Sequence, residues 1–350
     1  MKNKIRIGMV GATGYVGSEM LSQLCKHPGV EITRLASQSY SGRLYSDVYP
    51  SFKRVLDLAL ADPDSDNWAA DCDLVITALP HGVSQVTVPR LLDEGLKVID
   101  HSGDFRFREA ADYEAAYKLT AIRPDLLQEA VYGIPELYRE ELKIARLVAN
   151  PGCYPTASIL AFAPILDAQA LEPGPIVINA LSGISGAGRQ SSVEYGYCEA
   201  ADSVRPYAVL GHRHVPEIRQ EMGLIAGQAV SLVFTPQLVP MKRGMLVSGF
   251  AGAKNSDWTQ AKLTDLYKSY YQNDYFVRVL DEGQMVDTKQ VTASNFIDIA
   301  PVWDESNACF KLFSAIDNLG KGAAMQAIQS MNLMFGFPEE TGLDHPASFL

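Results

Sequence analysis

The sequence predicts an α/β protein: a doubly wound parallel sheet in the first half, then a second, α+β part with a mixed sheet. Three observations carry this. Short apolar runs alternate with helical patterns through roughly the first 150 residues, and strand, helix, strand in that order means parallel strands joined by crossover helices. Beyond that point the strands are more widely spaced and carry turn residues, as in a mixed or antiparallel sheet. The first strand also runs straight into a glycine-rich turn, GATGYVG, that opens a helix.

In chain order, IRIGMV is the first strand and residues 15–26 the first helix, with EITRLA the strand that follows. DLVITALP, a helix over Val83–Glu94 and LKVIDHS continue the alternation. After Cys153 the run ASILAFAPILDAQALE has helical periodicity, and PIVINALSG, QAVSLVFTPQLVP and GMLVSGFAGA read as strands. A last helix over Gly320–Phe335 has its apolar residues at helical spacing and is expected to return to the first domain. The expected division is a discontinuous first domain, residues 1–149 and 317–350, with residues 150–316 inserted as the second. The polar tail EETGLDHPASFL is expected at the periphery.

With 350 residues and 47% hydrophobic content, a sizeable core is no difficulty. A net charge of −11 argues against nucleic acid or an anionic membrane as the main partner, while leaving room for local pockets that take small anions. Five widely spaced cysteines without a C-x-x-C pair suggest neither a disulfide framework nor zinc, so a reducing compartment is expected. The N-terminus lacks the apolar core of a signal peptide and no apolar run is long enough to cross a bilayer. A cytoplasmic protein is expected.

Gly11, Gly14 and Gly17 stand after the first strand, where glycines permit a tight turn and free N–H groups at a helix start face a pyrophosphate. Thr13, Tyr15 and Val16 complete this candidate dinucleotide turn. At the end of the second strand LASQSYSGR offers Ser37, Ser39 and Arg43 and no carboxylate, which favours NADP over NAD. Pro80, His81 and Gly82 close another strand at the crevice end of such a sheet, where backbone contacts with the cofactor are expected.

NPGCYPT places Cys153 where a helix begins. Unsatisfied N–H groups at a helix start stabilise a thiolate, Pro155 suits the first turn, and Gly152 allows a sharp entry. Cys25, Cys72, Cys198 and Cys309 have no such setting and read as ordinary small hydrophobes. A cysteine nucleophile needs a proton carrier, and GHRHVPEI supplies two histidines. His214, next to a helix start, is favoured over His212, with Glu217 placed to hold its ring. The H-x-H spacing has no third ligand cluster, so no metal is expected. SGISGAGR follows a strand as a flexible, donor-rich loop from Ser182 through Ser185 and Gly186 to the Arg189 guanidinium, suited to an anion. Arg106 in DFR and Arg213 are further anion candidates. Asn318 in DNLGKG is placed for a nicotinamide carboxamide.

Together these motifs resemble the N-acetyl-gamma-glutamyl-phosphate reductase family, type 1. GATGYVG, ALPHGVS, DFR, VYGIPE, NPGCYPT, SGISGAGR, GHRHVPEI, FTPQLVPMKRG and AIDNLGKGAAMQAIQSMNLMFG carry the likeness along nearly the whole chain. The resemblance implies a Rossmann-type domain and a glyceraldehyde-3-phosphate-dehydrogenase-like catalytic and oligomerisation domain. It also implies NADPH-dependent reduction of an acyl phosphate through a thioester on Cys153, with His214 shuttling a proton. Ser182, Arg189, Arg106, His212 and Glu217 would face substrate, and the assembly would be a homodimer or tetramer. Two positions depart from the pattern: Met325, where glycine is common, and His101, where a small or apolar residue is common.

Overall fold

A computed structural model describes residues 4–189 and 192–348. The chain forms two compact units, Met1–Pro151 with Ala323–Asp344, and Gly152–Gly322 with His345–Leu350.

The first unit holds β1 (Ile5–Val10), β2 (Val30–Ala36), β3 (Leu60–Ala61), β4 (Leu74–Thr77), β5 (Lys97–Asp100), β6 (Val131–Tyr132) and β7 (Leu147–Ala149). They form one seven-stranded sheet in the order β3-β2-β1-β4-β5-β7-β6, with every pair parallel. All four residues of β4 are buried, as expected of a parallel strand covered on both faces. The strand order reverses between β1 and β4, and a doubly wound sheet takes its ligand outside the strand ends at such a switch point. GATGYVG follows β1 and ALPHG follows β4, so both loops flank it.

The last helix, Met325–Met334, is buried on all sides, Met325 included. It packs against the helices Pro135–Ile144 and Tyr15–Leu24. Two of its buried polar residues are matched: Asn332 Oδ1 meets His27 Nε2 at 3.0 Å and Gln329 Nε2 donates to Glu339 at 2.9 Å, whereas the Gln326 amide and the Ser330 hydroxyl are buried without a hydrogen-bond partner among the described residues.

The second unit holds β8 (Pro175–Gly183), β9 (Arg205–Pro206), β10 (Ser231–Val239), β11 (Met245–Gly252), β12 (Val277–Val279), β13 (Ile297–Asp304) and β14 (Cys309–Ile316). Their order is β12-β13-β14-β11-β8-β10-β9; β8 pairs with β10 and β12 with β13 in parallel, and the other pairs are antiparallel. Burial alternates along β8, β10 and β11, so one face of the sheet forms the core. The helix Cys153–Asp167 lies on that face, with Tyr154 through Leu166 all buried. A Cβ on Gly249 would sit 2.3 Å from the Phe162 ring, so strand and helix touch where the strand has no side chain.

Three boundaries differ from expectation: the first segment of the host unit runs on through Pro151 rather than ending at residue 149, and two more lie towards the C-terminus. Residues 317–322 stay with the second unit because Asp317, fully buried, accepts from Ala293 N, Leu319 N and Gly320 N and pairs with Arg243 at 2.8 Å. The tail from His345 also groups there, with Ser348 N donating to Thr292 O at 2.8 Å.

Candidate active site

The thiol's position follows from β7 and the turn after it. Asn150 N donates to Asp100 O at 2.8 Å, prolonging the β5–β7 pairing, and Gly152 then caps a helix whose first residue is Cys153. Gly152 at the N-cap has no side chain to cap that helix, so its first-turn N–H groups face the sulfur's end. Cys153 is partly exposed and packed between glycines. A Cβ on Gly152 would lie 2.5 Å from His214 Cε1 and Nε2, and one on Gly322 would lie 2.8 Å from Cys153 Cβ. The missing side chains are what let the imidazole and the 317–322 loop close on this turn.

His214 opens the helix His214–Ala226 and is buried. Its N–H donates to His212 Nδ1 at 3.2 Å, which leaves the proton of a neutral His212 on Nε2. Burial, helped by the Arg213 charge, pushes His212 down to about 4. His212 is therefore neutral near pH 7 and is held by rings: Tyr154 at 5.4 Å, Tyr207 at 5.5 Å and Phe234 at 5.6 Å. A group locked neutral is a poor proton carrier at neutral pH, which leaves His214 for that task. Glu217 departs from the expectation of substrate contact. It points into the core, fully buried, and its Oε1 accepts Gly152 N–H at 3.1 Å, bracing the cysteine turn from below.

A cavity of about 350 Å³ opens over these residues, lined by Cys153, His212 and His214 with Tyr154, Ser182, Tyr195, Tyr207 and Arg213. The Tyr154 and Tyr207 hydroxyls are 3.1 Å apart, and burial raises both phenols, Tyr207 to about 12. Neither tyrosine, nor Tyr195, stands in a motif that singles it out; Tyr154 is visible only as the neighbour of Cys153.

The Ser182 loop is less free than its glycines suggest. Gly183 N, Ile184 N and Ser185 N donate to Gly244, Met241 and Lys242 carbonyls at 2.9, 2.9 and 3.2 Å. Those three donors are spent on the neighbouring turn and do not serve an anion. Ser182 remains on the cavity wall, and Gly186 packs on it, where a Cβ would come within 3.0 Å of Ser182 Oγ. Arg189 is exposed and outside the cavity lining. Asn318 is buried, accepting from Gly244 N at 2.8 Å and donating to Ser185 Oγ at 2.9 Å, so its amide braces the loops beside the cavity.

In the first unit the glycine turn fits a dinucleotide. Gly11 has φ +84°, and a Cβ there would strike Ala78 O at 2.3 Å; one on Gly17 would strike Ala12 O at 2.7 Å. Gly14 meets nothing closer than 3.7 Å, so its bareness serves no internal packing and leaves room over an uncapped helix start, as a pyrophosphate needs. Tyr15 and Val16 begin that helix. Ser37 is buried, its hydroxyl 2.9 Å from Thr13 Oγ1, while Ser39 and Arg43 are exposed, Arg43 lying over the Tyr40 ring at 5.6 Å. After β4, Pro80 is exposed, His81 Nδ1 accepts from Gly103 N at 2.8 Å, and Gly82 N donates to both Asp104 oxygens. Arg106 is buried, with Nε on Asn150 O and Nη2 on His101 O, both 2.9 Å, clamping the ends of β5 and β7. Burial beside Arg106 holds His101 neutral, at about 3.

Residues 6–145 match the family model described as semialdehyde dehydrogenase, NAD binding domain, and residues 153–318 match semialdehyde dehydrogenase, dimerisation domain. The N-acetyl-gamma-glutamyl-phosphate reductase of Acetivibrio thermocellus is 46% identical over 98% of this chain and 99% of its own. The enzyme of the same name from Laribacter hongkongensis is 44% identical over 97% and 98%. This chain belongs to the N-acetyl-gamma-glutamyl-phosphate reductase family.

Solved structures extend the family's fold to more distant proteins. Aspartate semialdehyde dehydrogenase II of Vibrio cholerae, complexed with ASA, has a TM-score of 0.72 at 17% identity, covering 96% of this chain and 99% of its own. Aspartate semialdehyde dehydrogenase with NADP from Candida albicans has 0.72 at 16%, covering 95% and 99%. Among the described residues of this reductase-family chain, no cluster of three or more His, Cys, Asp or Glu is arranged to hold a metal ion, and no helix is long and apolar enough to cross a membrane.

Proposed function

We propose that this chain reduces N-acetyl-γ-glutamyl phosphate to N-acetylglutamate 5-semialdehyde, releasing phosphate, at the expense of NADPH, as a step of arginine biosynthesis. The observation that carries the reading is Cys153 at a bare helix start, facing a cavity with His214 laid against its turn. The Cys153 thiolate forms a bond to the γ-acyl carbon and the carbon–oxygen bond to phosphate breaks, leaving a thioester. NADPH, when bound, supplies the hydride that takes this thioester to the aldehyde level. First-turn N–H groups at Cys153 stabilise the oxyanion. His214 protonates that oxygen and recovers the proton as the thiohemiacetal collapses and the thiolate leaves. Gly11, Thr13, Gly14, Tyr15, Val16 and Gly17 would hold the pyrophosphate of the bound cofactor, Ser39 and Arg43 would receive a 2′-phosphate, and Ser37 would act through Thr13.

The test is the reverse assay: N-acetylglutamate semialdehyde, NADP and inorganic phosphate, following reduced cofactor. Phosphate-dependent turnover supports the reading; NADP binding without turnover overturns it.

We further infer a cytoplasmic homo-oligomer. The second-unit match is described as a dimerisation domain, and the face of its sheet away from the Cys153 helix carries Val233, 49% exposed, with half-buried Val177 and Phe250. Light scattering on purified protein checks the assembly, and a monomer at micromolar concentration refutes it.

A further inference from the structure

The cavity over Cys153 holds a cation that the thioester chemistry does not use. Arg213 lines it, is exposed, and among the described residues makes no ion pair, hydrogen bond or ring contact. That is unusual in this protein, where Arg205, Arg243 and Arg278 pair with Glu194, Asp317 and Asp298. Arg213 is also the only charged guanidinium or ammonium among the described residues of the cavity wall. Tyr207 feels both Cys153 and Arg213, so the phenol stands within the electrostatic reach of each.

The substrate proposed above, on which this inference rests, has two anionic ends. Its acyl phosphate reacts at the thiol, and its α-carboxylate lies four carbon–carbon bonds away, about 5 Å when extended. A rigid planar fork is suited to two parallel hydrogen bonds with a carboxylate. We propose that Arg213 binds the substrate's α-carboxylate and so selects for an acyl phosphate carrying that group.

The test is steady-state kinetics of Arg213→Met and Arg213→Lys in the reverse assay, with the semialdehyde and phosphate varied separately. The expected result for Arg213→Met is a KM for the semialdehyde raised about 10- to 100-fold, an unchanged KM for phosphate, and partial recovery in Arg213→Lys. A second readout needs no turnover: N-acetylglutamine keeps the α-carboxylate and a neutral γ-carbonyl, and it should slow iodoacetamide alkylation of Cys153 in the wild type but not in Arg213→Met. The α-carboxamide counterpart should protect neither. An unchanged semialdehyde KM, a phosphate KM that rises as much or more, or equal protection of both proteins overturns the assignment. If the wild type itself fails to turn over, the proposed reaction falls instead, and the alkylation result then judges Arg213 as a carboxylate site alone.

Discussion

Replacing Gly152 with alanine tests whether the site depends on His214 lying against the cysteine turn. The backbone is no obstacle, since Gly152 has φ −73° and ψ 159°, an extended conformation open to any residue. The whole perturbation is the new Cβ, 2.5 Å from His214 Cε1 and Nε2, against 3.4–4 Å for ordinary contact. The ring must therefore retreat by about 1 Å, and a misplacement of that size in a reacting group costs about 100-fold. That corresponds to roughly 2.7 kcal/mol on the barrier. The assay is kcat in the reverse direction, with NADPH affinity measured alongside by cofactor fluorescence. The expected outcome is a kcat down about 100-fold and an unchanged NADPH affinity. A cycle with His214→Asn isolates the cause: once the imidazole is gone, Gly152→Ala should cost less than about 3-fold more. A kcat within about 3-fold of wild type, or an undiminished loss in the His214→Asn background, refutes the reasoning.

Cys153→Ser should abolish turnover and leave NADPH binding nearly intact; loss of both together would assign the thiol a structural task. Gly11→Ala places a side chain at φ +84° and 2.3 Å from Ala78 O, so cofactor affinity should fall and the urea midpoint should drop by the equivalent of at least about 1–2 kcal/mol. An unchanged Kd for NADPH would contradict the fit of that turn. His212 is pushed down to about 4 in the fold against about 6.5 in an unfolded chain, so the unfolded state binds the extra proton first. Its stabilising effect is full above pH 6.5 and is lost as pH falls from 6.5 towards 4, up to about 3 kcal/mol. Thermal melts across that range should steepen in the wild type relative to His212→Asn; parallel curves would refute it.

Much of the framework was legible because its signals are local. GATGYVG and NPGCYPT each announce a turn and a helix start within seven residues, and β1, β8, β10 and β11 are long enough to show their burial pattern. The two-residue strands β3, β6 and β9 are too short to carry any periodicity. What escaped was non-local. Tyr195 and Tyr207 join Cys153 only through the fold, and no spacing in the sequence couples them. Glu217 was readable as a helix-start carboxylate but not as a core-facing one, since its partner Gly152 N is 65 residues away. The Ser182 loop hid a similar non-local partner, because the N–H groups of Gly183, Ile184 and Ser185 are consumed by carbonyls of residues 241–244.

The contact between Gly322 and Cys153 makes the second unit a loop closed on itself, for the two residues stand at its entry and its exit. A segment whose two ends meet can be inserted or excised with little disturbance, as domain insertions are, although here the tail from His345 belongs to the same unit. Here the clasp is the nucleophile. A fluctuation that parts the two ends disturbs the very turn that sets the thiol, so loosening of the clasp and misplacement of the nucleophile are one event.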